Sequence, residues 1–226
     1  MYKRQSYEHE NIIRIDVDNS KQPNSRWYSG SGIYRDVNLW TGKDVYISHD
    51  KLRITTLSVN DDMAVIEVCA QLKNIIGHGL EAECLIEIKK DGQKTASDTQ
   101  RVVFRSEQMQ TVRVQIPIEH PKKWSPKQPA LYECHITTKF DDKICDEAVS
   151  NFGIRVLALD PVRGLQINGE TVKLRGTCIH HDNGVIGAET FKEAEWYRCK
   201  RLKEAGFNAI RSAHHPCLLY TSDAAD

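Results

Sequence analysis

Histidine and arginine residues form two groups in the last quarter of the chain. The groups are Arg175, His180 and His181, and Arg211, His214 and His215. Neutral imidazole both donates and accepts hydrogen bonds, so it can bridge neighbouring hydroxyls. The pattern favours sugar binding, with metal binding as a second hypothesis. Adjacent histidines in an extended segment point to opposite sides, which makes His180 and His181 a poor pair of metal ligands.

A tight hairpin is predicted just before the first group. Asn168 and Gly169 favour a type I′ turn, and residues 165–167 and 170–174 flank it as short strands. Arg175 and His180 then follow the second strand.

A helix and another strand are predicted between the two groups. Thr190 and Glu193 have the spacing of a capping box, Gly206 supplies a stop, and residues 207–210 form a short apolar strand. The apolar residues of the helix keep a helical period: Phe191, Ala194, Tyr197, Leu202 and Ala205. A strand, a helix and a strand predict a right-handed parallel crossover. Both histidine groups then lie on one face, the face that carries the site in barrel enzymes.

The chain before residue 158 is rich in short β-type runs. Ile13, Ile15 and Val17 alternate with polar residues and predict a half-buried strand at 11–17, with another strand at 33–39. Residues 44–157 contain runs at 45–48, 52–59, 63–72, 82–89, 101–104, 111–116, 132–140 and 144–152. Evenly spaced short strands without a helical pattern predict an immunoglobulin-like sandwich.

Composition excludes several classes of partner. Thirty-one basic and thirty-one acidic residues leave a formal net charge of zero, so no nucleic-acid footprint is indicated. No apolar run approaches the roughly 18 residues of a membrane span. The seven cysteines lack CxxC spacing, which argues against a zinc site and favours buried free thiols.

The two chain ends can be encoded by one inverted repeat. Residues 1–5 (MYKRQ) and 217–226 (CLLYTSDAAD) resemble a translated transposase adapter of the kind used to prepare sequencing libraries. We therefore expect the native segment to run over residues 6–216, as a window from a longer gene.

Four motifs in order resemble family 2 glycoside hydrolases, the β-galactosidase and β-glucuronidase superfamily. They are VDNSKQPNSRWYSGSGIYRDVNLW, WSPKQPALY, FGIR, and RGTCIHHDNGVIGA followed by NAIRSAHHP. The resemblance implies a multi-domain chain: the end of a jelly-roll sugar-binding domain at 6–43, the immunoglobulin-like sandwich at 44–157, and the start of a (β/α)8 TIM barrel at 158–216. The implied function is that of a retaining exo-β-glycosidase, most similar to β-galactosidase.

Four substrate-binding residues follow from the resemblance. Asp18 matches an acidic residue that reaches the active site, His180 and His214 match sugar-contacting histidines, and Arg211 matches an arginine that organises neighbouring carboxylates. The residues alone leave other roles open: an Asx turn for Asp18 and a structural ion pair for Arg211. The implied partner is a β-linked galactoside or related saccharide. A divalent or monovalent cation and an oligomeric state of the intact enzyme rest on the resemblance alone.

No catalytic residue is expected within the chain. Retaining glycosidases use two carboxyl groups roughly 5–5.5 Å apart, and the family's two glutamates come from later barrel strands. The alternatives are a non-catalytic carbohydrate-binding or adhesion sandwich and a metal-dependent barrel hydrolase. The location, cytoplasmic or periplasmic, stays open.

Overall fold

The computed structural model describes residues 10–18, 20–21, 33, 37, 39, 41–105, 108–180, 183–187 and 191–212. Its regular elements begin at residue 45. The strands are β1 Val45–Ile47, β2 Arg53–Val59, β3 Met63–Asn74, β4 Leu80–Lys90, β5 Gln93–Phe104, β6 Met109–Glu119, β7 Tyr132–Phe140, β8 Lys143–Phe152, β9 Leu157–Asp160, β10 Gly164–Ile167, β11 Glu170–Thr171, β12 Gly176–Ile179 and β13 Ala209–Ser212. The helix α1 spans Lys192–Glu204, and one-turn 3-10 helices lie at His49–Lys51 and Gly184–Ile186.

Eight strands form two antiparallel sheets. In the first sheet β3 lies at the centre, with β6 on one side and with β2 and β1 sharing the other side. The second sheet has the order β5-β4-β7-β8. Asp91 and Gly92 join β4 to β5, and Asp141 and Asp142 join β7 to β8; all four have the positive φ angles typical of tight turns. The result is an all-β sandwich, as the sequence predicts.

The core lies between the two sheets and consists of alternate residues of their strands. Along β3, every second side chain from Ala64 to Leu72 is fully buried, and Ile86 and Ile88 of β4 are equally buried in the facing sheet. This period of two is the expected pattern for strands with one face in the core. Phe104 and Ile136 fill the space between the sheets.

Strand β5 is longer than the sequence predicts. The prediction covered residues 101–104, whereas β5 begins at Gln93 and pairs with β4 along its whole length. Its first eight residues contain only one apolar side chain, Ala96. Because β5 is an edge strand, these residues need little apolar character, and the periodicity signal is absent there.

The predicted strand at 11–17 is wrong. Residues 10–18 have no regular secondary structure, and Ile13, Ile15 and Val17 are all exposed. No described strand pairs with this segment, and an unpaired strand cannot satisfy its backbone groups. Ile33, Val37 and Leu39, the described residues of the second predicted strand, are exposed and likewise outside any strand.

A three-stranded antiparallel sheet follows the sandwich. It has the order β11-β10-β9, and β9 returns into β10 where Asp160 accepts hydrogen bonds from the amides of Val162 and Arg163. The turn from β10 to β11 has Asn168 at φ 52° and Gly169 at φ 84°, which confirms the predicted hairpin. Its second strand is shorter than predicted, because β11 ends at Thr171.

The last elements are two parallel strands separated by a helix. Strands β12 and β13 pair in parallel, with Gly176 opposite Ala209, and α1 lies between them in the chain. A strand, a helix and a parallel strand follow one another as predicted, but the first strand is Gly176–Ile179 rather than residues 170–174. The N-cap of α1 is Phe191, which gives no side-chain cap, and Gly206 follows the helix at φ 89°. Thr190, the predicted cap, lies outside the described residues.

Trp124 is packed against a glycine at the end of the sandwich. Its side chain is buried, and its amide donates a 2.9 Å hydrogen bond to the Ile154 carbonyl. A Cβ atom at Gly153 would lie 2.8 Å from Trp124 Cγ. The indole therefore occupies the space that any larger residue at position 153 needs.

We predict that Gly153→Ala destabilises the sandwich by roughly 1–3 kcal/mol, because the buried indole cannot move away from the added methyl group. Thermal unfolding followed by circular dichroism should show a Tm lower by roughly 4 °C or more. Gly176→Ala is the matched control, since its Cβ would lie 3.4 Å from the nearest atom, an ordinary contact distance. An unchanged Tm in Gly153→Ala would contradict this packing.

The buried cysteines of the sandwich should be unreactive. Burial raises the pKa of Cys84 and of Cys134 to about 12, and only a thiolate is an effective nucleophile. Alkylation of the folded chain at pH 8, mapped by mass spectrometry, should label the exposed Cys178 and spare both. Denaturant should make all three equally reactive. Labelling of Cys84 at the rate of Cys178 in the folded chain would show that the sandwich opens readily.

Candidate functional site

The parallel strands bring two of the predicted site residues to neighbouring positions. His180 directly follows β12, and Arg211 lies in β13 opposite Cys178. The guanidinium of Arg211 is 3.6 Å from the Cys178 Sγ atom, and both His180 and Arg211 are exposed. This arrangement places an imidazole and a guanidinium near the carboxyl ends of two adjacent strands. His214, together with His181, Asp182 and His215, lies outside the described residues.

Arg175 does not belong to this end of the sheet. It precedes β12, and its Nε donates a 3.1 Å hydrogen bond to the Gly206 carbonyl, ahead of β13. The prediction that it follows the first strand is wrong, because that strand begins at Gly176 rather than within residues 170–174. Arg175 therefore lies at the amino end of the parallel pair, opposite His180.

Arg198 of the helix holds the segment that follows β12. Its guanidinium donates to the carbonyl oxygen of His180 at 3.4 Å and to the side-chain oxygen of Asn183. The first of these bonds acts on the backbone of His180, and the second acts on the side chain of Asn183. The guanidinium thus joins the candidate site to α1.

Glu195 lies one helical turn before Arg198 and is almost completely buried. Only 4% of the residue is exposed, and one carboxylate oxygen is 3.5 Å from Arg198 Nη1. Among the described residues, its other oxygen has no hydrogen-bond partner. Burial raises the pKa of Glu195, and the attraction of Arg198 and a hydrogen bond with the Asn183 side chain oppose that change only in part.

Asp18 makes a local contact. It is exposed, and its Oδ1 accepts a 2.9 Å hydrogen bond from the Ser20 amide. Hydrogen bonds from the Ser20 hydroxyl and amide lower the pKa of Asp18, so this carboxylate is ionised at neutral pH. The contact has the form of an Asx turn, the alternative that the sequence leaves open for this residue.

The buried face of α1 differs from the predicted one. Phe191 and Tyr197, assigned to the apolar face, are 49% and 59% exposed, while Glu195 is buried and Arg198 half-buried. Apolar periodicity cannot find such a face, because a buried ion pair reads as polar in sequence. The three-residue spacing of Glu195 and Arg198 is the one available signal, and it is common on exposed helices.

Two absences hold for the described part of the chain. None of its helices has the length and apolar character needed to cross a membrane. It also contains no group of three or more histidine, cysteine, aspartate or glutamate side chains placed to hold a metal ion. No described residue is therefore assigned to a cation.

Fold and site together define a β-sandwich followed by a hairpin and a parallel βαβ unit with exposed polar groups. Residues 45–155 match the sequence model of Glycosyl hydrolases family 2. The sandwich therefore resembles the immunoglobulin-like domain of family 2 glycoside hydrolases.

Known relatives extend the similarity beyond the sandwich. The chain is 31% identical to the β-galactosidase BoGH2A of Bacteroides ovatus, over 91% of this chain and 24% of the relative. It is 30% identical to a putative β-glucuronidase of Formosa agariphila, over 91% of this chain and 19% of the relative. The crystal structure of a family 2 member from Bacteroides cellulosilyticus superposes with a TM-score of 0.80 at 33% identity, covering 89% of this chain and 26% of that one. The chain thus spans about a quarter or less of these relatives' lengths.

Replacement of the buried carboxylate should strengthen the docking of α1 at neutral pH. The pKa of Glu195 is higher in the folded chain than in the unfolded chain, so its ionised form disfavours folding. This penalty is absent below the unfolded pKa and grows as the pH rises through the folded pKa. In Glu195→Gln, protection of the α1 amides from hydrogen exchange should therefore exceed that of wild type at pH 7, with the gain disappearing near pH 4.

Glu193→Gln is the matched control, because Glu193 is an exposed glutamate in the first turn of the same helix. It should leave the protection of α1 almost unchanged at both pH values. Weaker protection in Glu195→Gln at pH 7 would mean that the ion pair with Arg198 outweighs the cost of burial.

Proposed function

We propose that the chain is part of a retaining exo-β-glycosidase, most similar to β-galactosidase, in which it carries sugar-recognition groups. The family match of residues 45–155 is the observation that carries this proposal. The printed names of the relatives include both β-galactosidase and β-glucuronidase, which supports a β-linked saccharide as the substrate class. The choice of a galactoside follows the first of these relatives.

The recognition groups in this proposal are His180, Arg211, His214 and Asp18. His180 directly follows β12 and Arg211 lies in the adjacent β13, where an imidazole can share hydrogen bonds with sugar hydroxyls and a guanidinium can order nearby carboxylates. In this proposal β12, α1 and β13 are the start of a TIM barrel, whose active site lies at the carboxyl ends of its strands. The placement of His180 agrees with that geometry.

The catalytic carboxyl groups in this proposal come from outside the chain. A retaining mechanism needs an acid/base and a nucleophile on either side of the glycosidic bond. Glu170 belongs to the hairpin, Glu193 and Glu204 are exposed on α1, and Glu195 is buried beside Arg198. None of these four follows a parallel strand. The chain therefore binds and orients a sugar but does not cleave it.

We predict that the 226-residue chain does not hydrolyse a nitrophenyl β-galactoside above the buffer rate. The complete product of its gene should do so, and faster than it hydrolyses the matching β-glucuronide. Release of nitrophenol, measured by absorbance, checks both statements. Hydrolysis of neither glycoside by the complete product would contradict the proposal and favour a non-catalytic sugar-binding or adhesion protein. If the complete product prefers the glucuronide, the proposed sugar is wrong and the proposed class of enzyme, a glycosidase, still holds.

His214 supplies a sharper test within the complete protein. His214→Ala should lower kcat by about 100-fold or more, because it removes a hydrogen bond that strengthens in the transition state. The Tm should stay within about 1 °C of wild type, since the loss of a sugar contact costs the unliganded protein little stability. His215→Ala is the matched control, because it replaces the neighbouring histidine, to which the family resemblance assigns no sugar contact. Wild-type kinetics in His214→Ala would remove this residue from the site.

A further inference from the structure

Asn168 connects the hairpin to the sandwich through both ends of its side-chain amide. Its Nδ2 donates a 2.9 Å hydrogen bond to the Trp124 carbonyl, and its Oδ1 accepts a 3.0 Å bond from the Val156 amide. Its own backbone amide donates to the Val156 carbonyl at 2.9 Å. One residue at a β-turn thus binds two separate segments of the preceding module.

On the sandwich side, Trp124 is held in place by several contacts of its own. The Trp124 backbone is bonded to Ile154, its ring packs on Gly153, and the guanidinium of Arg155 lies 4.2 Å above the ring centroid. A cation over an indole face adds attraction to this packing. The Trp124 carbonyl is therefore a fixed acceptor for Asn168.

A second asparagine makes the corresponding contact at the start of the parallel strands. Asn208 Oδ1 accepts a 2.7 Å bond from the Arg175 amide, and its Nδ2 donates a 3.0 Å bond to the Lys173 carbonyl. Its backbone amide donates to the Arg175 carbonyl at 3.0 Å. Residues 175 and 208 directly precede β12 and β13, so this contact sets where the two strands begin to pair.

The two contacts lie in series along the chain. Asn168 holds the hairpin on the sandwich, and the Val172 amide bonds to the Leu165 carbonyl at 2.8 Å to hold the hairpin exit. Asn208 then forms hydrogen bonds with Lys173 and Arg175, which follow this exit. The register that starts there places Arg211 opposite Cys178, with His180 following β12.

We propose that Asn168 and Asn208 are positioning residues, which together set the placement of His180 and Arg211 relative to the sandwich. Their link to sugar binding rests on the proposed function, whereas the placement itself does not. Each amide donates and accepts at once, a combination that neither aspartate nor alanine reproduces. Both side chains are uncharged, so the placement does not depend on pH.

Residue-resolved hydrogen exchange of the full 226-residue chain, measured by NMR, tests the placement. Val156 reports on Asn168 because its amide donates to Oδ1, and Arg175 reports on Asn208 in the same way. Asn168→Gly keeps a residue suited to positive φ and removes both side-chain bonds. We expect about fivefold faster exchange at Val156 in this variant, with wild-type exchange at Arg175. Asn208→Ala should give the reverse result.

Aspartate variants test the acceptor oxygen and the donor nitrogen of each side-chain amide separately. Asn168→Asp and Asn208→Asp keep an acceptor oxygen, so the reporter amides should stay protected while the donor bonds to Trp124 and Lys173 are lost. Asn151→Ala is the matched control, since Asn151 is an exposed asparagine in β8. Wild-type exchange at Val156 in Asn168→Gly, or at Arg175 in Asn208→Ala, would overturn the proposal. Faster exchange at Ile86 and Ile88 in β4 would also overturn it, because the effect would then be general unfolding.

Kinetics of the complete gene product test the link to the site. Asn208→Ala should lower kcat/KM for the glycoside by about tenfold or more through misplacement of the recognition groups, with an unchanged pH profile. Wild-type kinetics combined with faster exchange at Arg175 would overturn the positioning role and leave the proposed function intact. If the wild-type product hydrolyses no glycoside, the proposed function fails, and the exchange results still decide the placement.

Discussion

The inner face of β3 is removed from water along its whole length, and the rest of the sandwich depends on this burial. Ala64, Ile66, Val68, Ala70 and Leu72 are each 0% exposed. Three strands pair with β3, and the facing sheet covers it. Burial of apolar area is the main favourable contribution to folding. A polar residue at any of these positions would leave an unsatisfied group between the sheets.

Beyond the end of the sandwich, hydrogen bonds from side-chain amides replace apolar packing between the sheets as the main contacts. The backbone around Trp124 and Val156 is satisfied by Asn168, and the backbone at Lys173 and Arg175 is satisfied by Asn208. Apolar packing tolerates sliding, because it has little directional preference. Hydrogen bonds at 2.7–3.0 Å have a narrow geometry, so they suit a junction whose orientation matters.

The βαβ unit contains a buried charge next to the segment that carries His180. Arg198 holds the backbone of His180 and the side chain of Asn183, and Glu195 lies beneath it with its pKa raised by burial. A carboxylate in such surroundings is costly unless it is paired. Its pairing with Arg198 therefore ties the packing of the helix to the position of the segment that carries His180. The family match covers the sandwich, whereas these groups follow it.

Local sequence by itself determined the sandwich strands, apart from the first part of β5, and the β10–β11 turn. Alternating burial follows from side-chain period, and Asn168-Gly169 selects a turn with two positive φ angles wherever it occurs. Tertiary structure alone decided the rest. Residues 11–17 alternate equally well but pair with no described strand, β5 is extended by its neighbour β4, and α1 buries Glu195 rather than Tyr197. His180 and Arg211 were chosen through their resemblance to family motifs, whereas local sequence could neither exclude Arg175 nor find Arg198. The physical reason is that pairing, edge position and charge compensation are properties of neighbours distant in sequence, which no local pattern encodes.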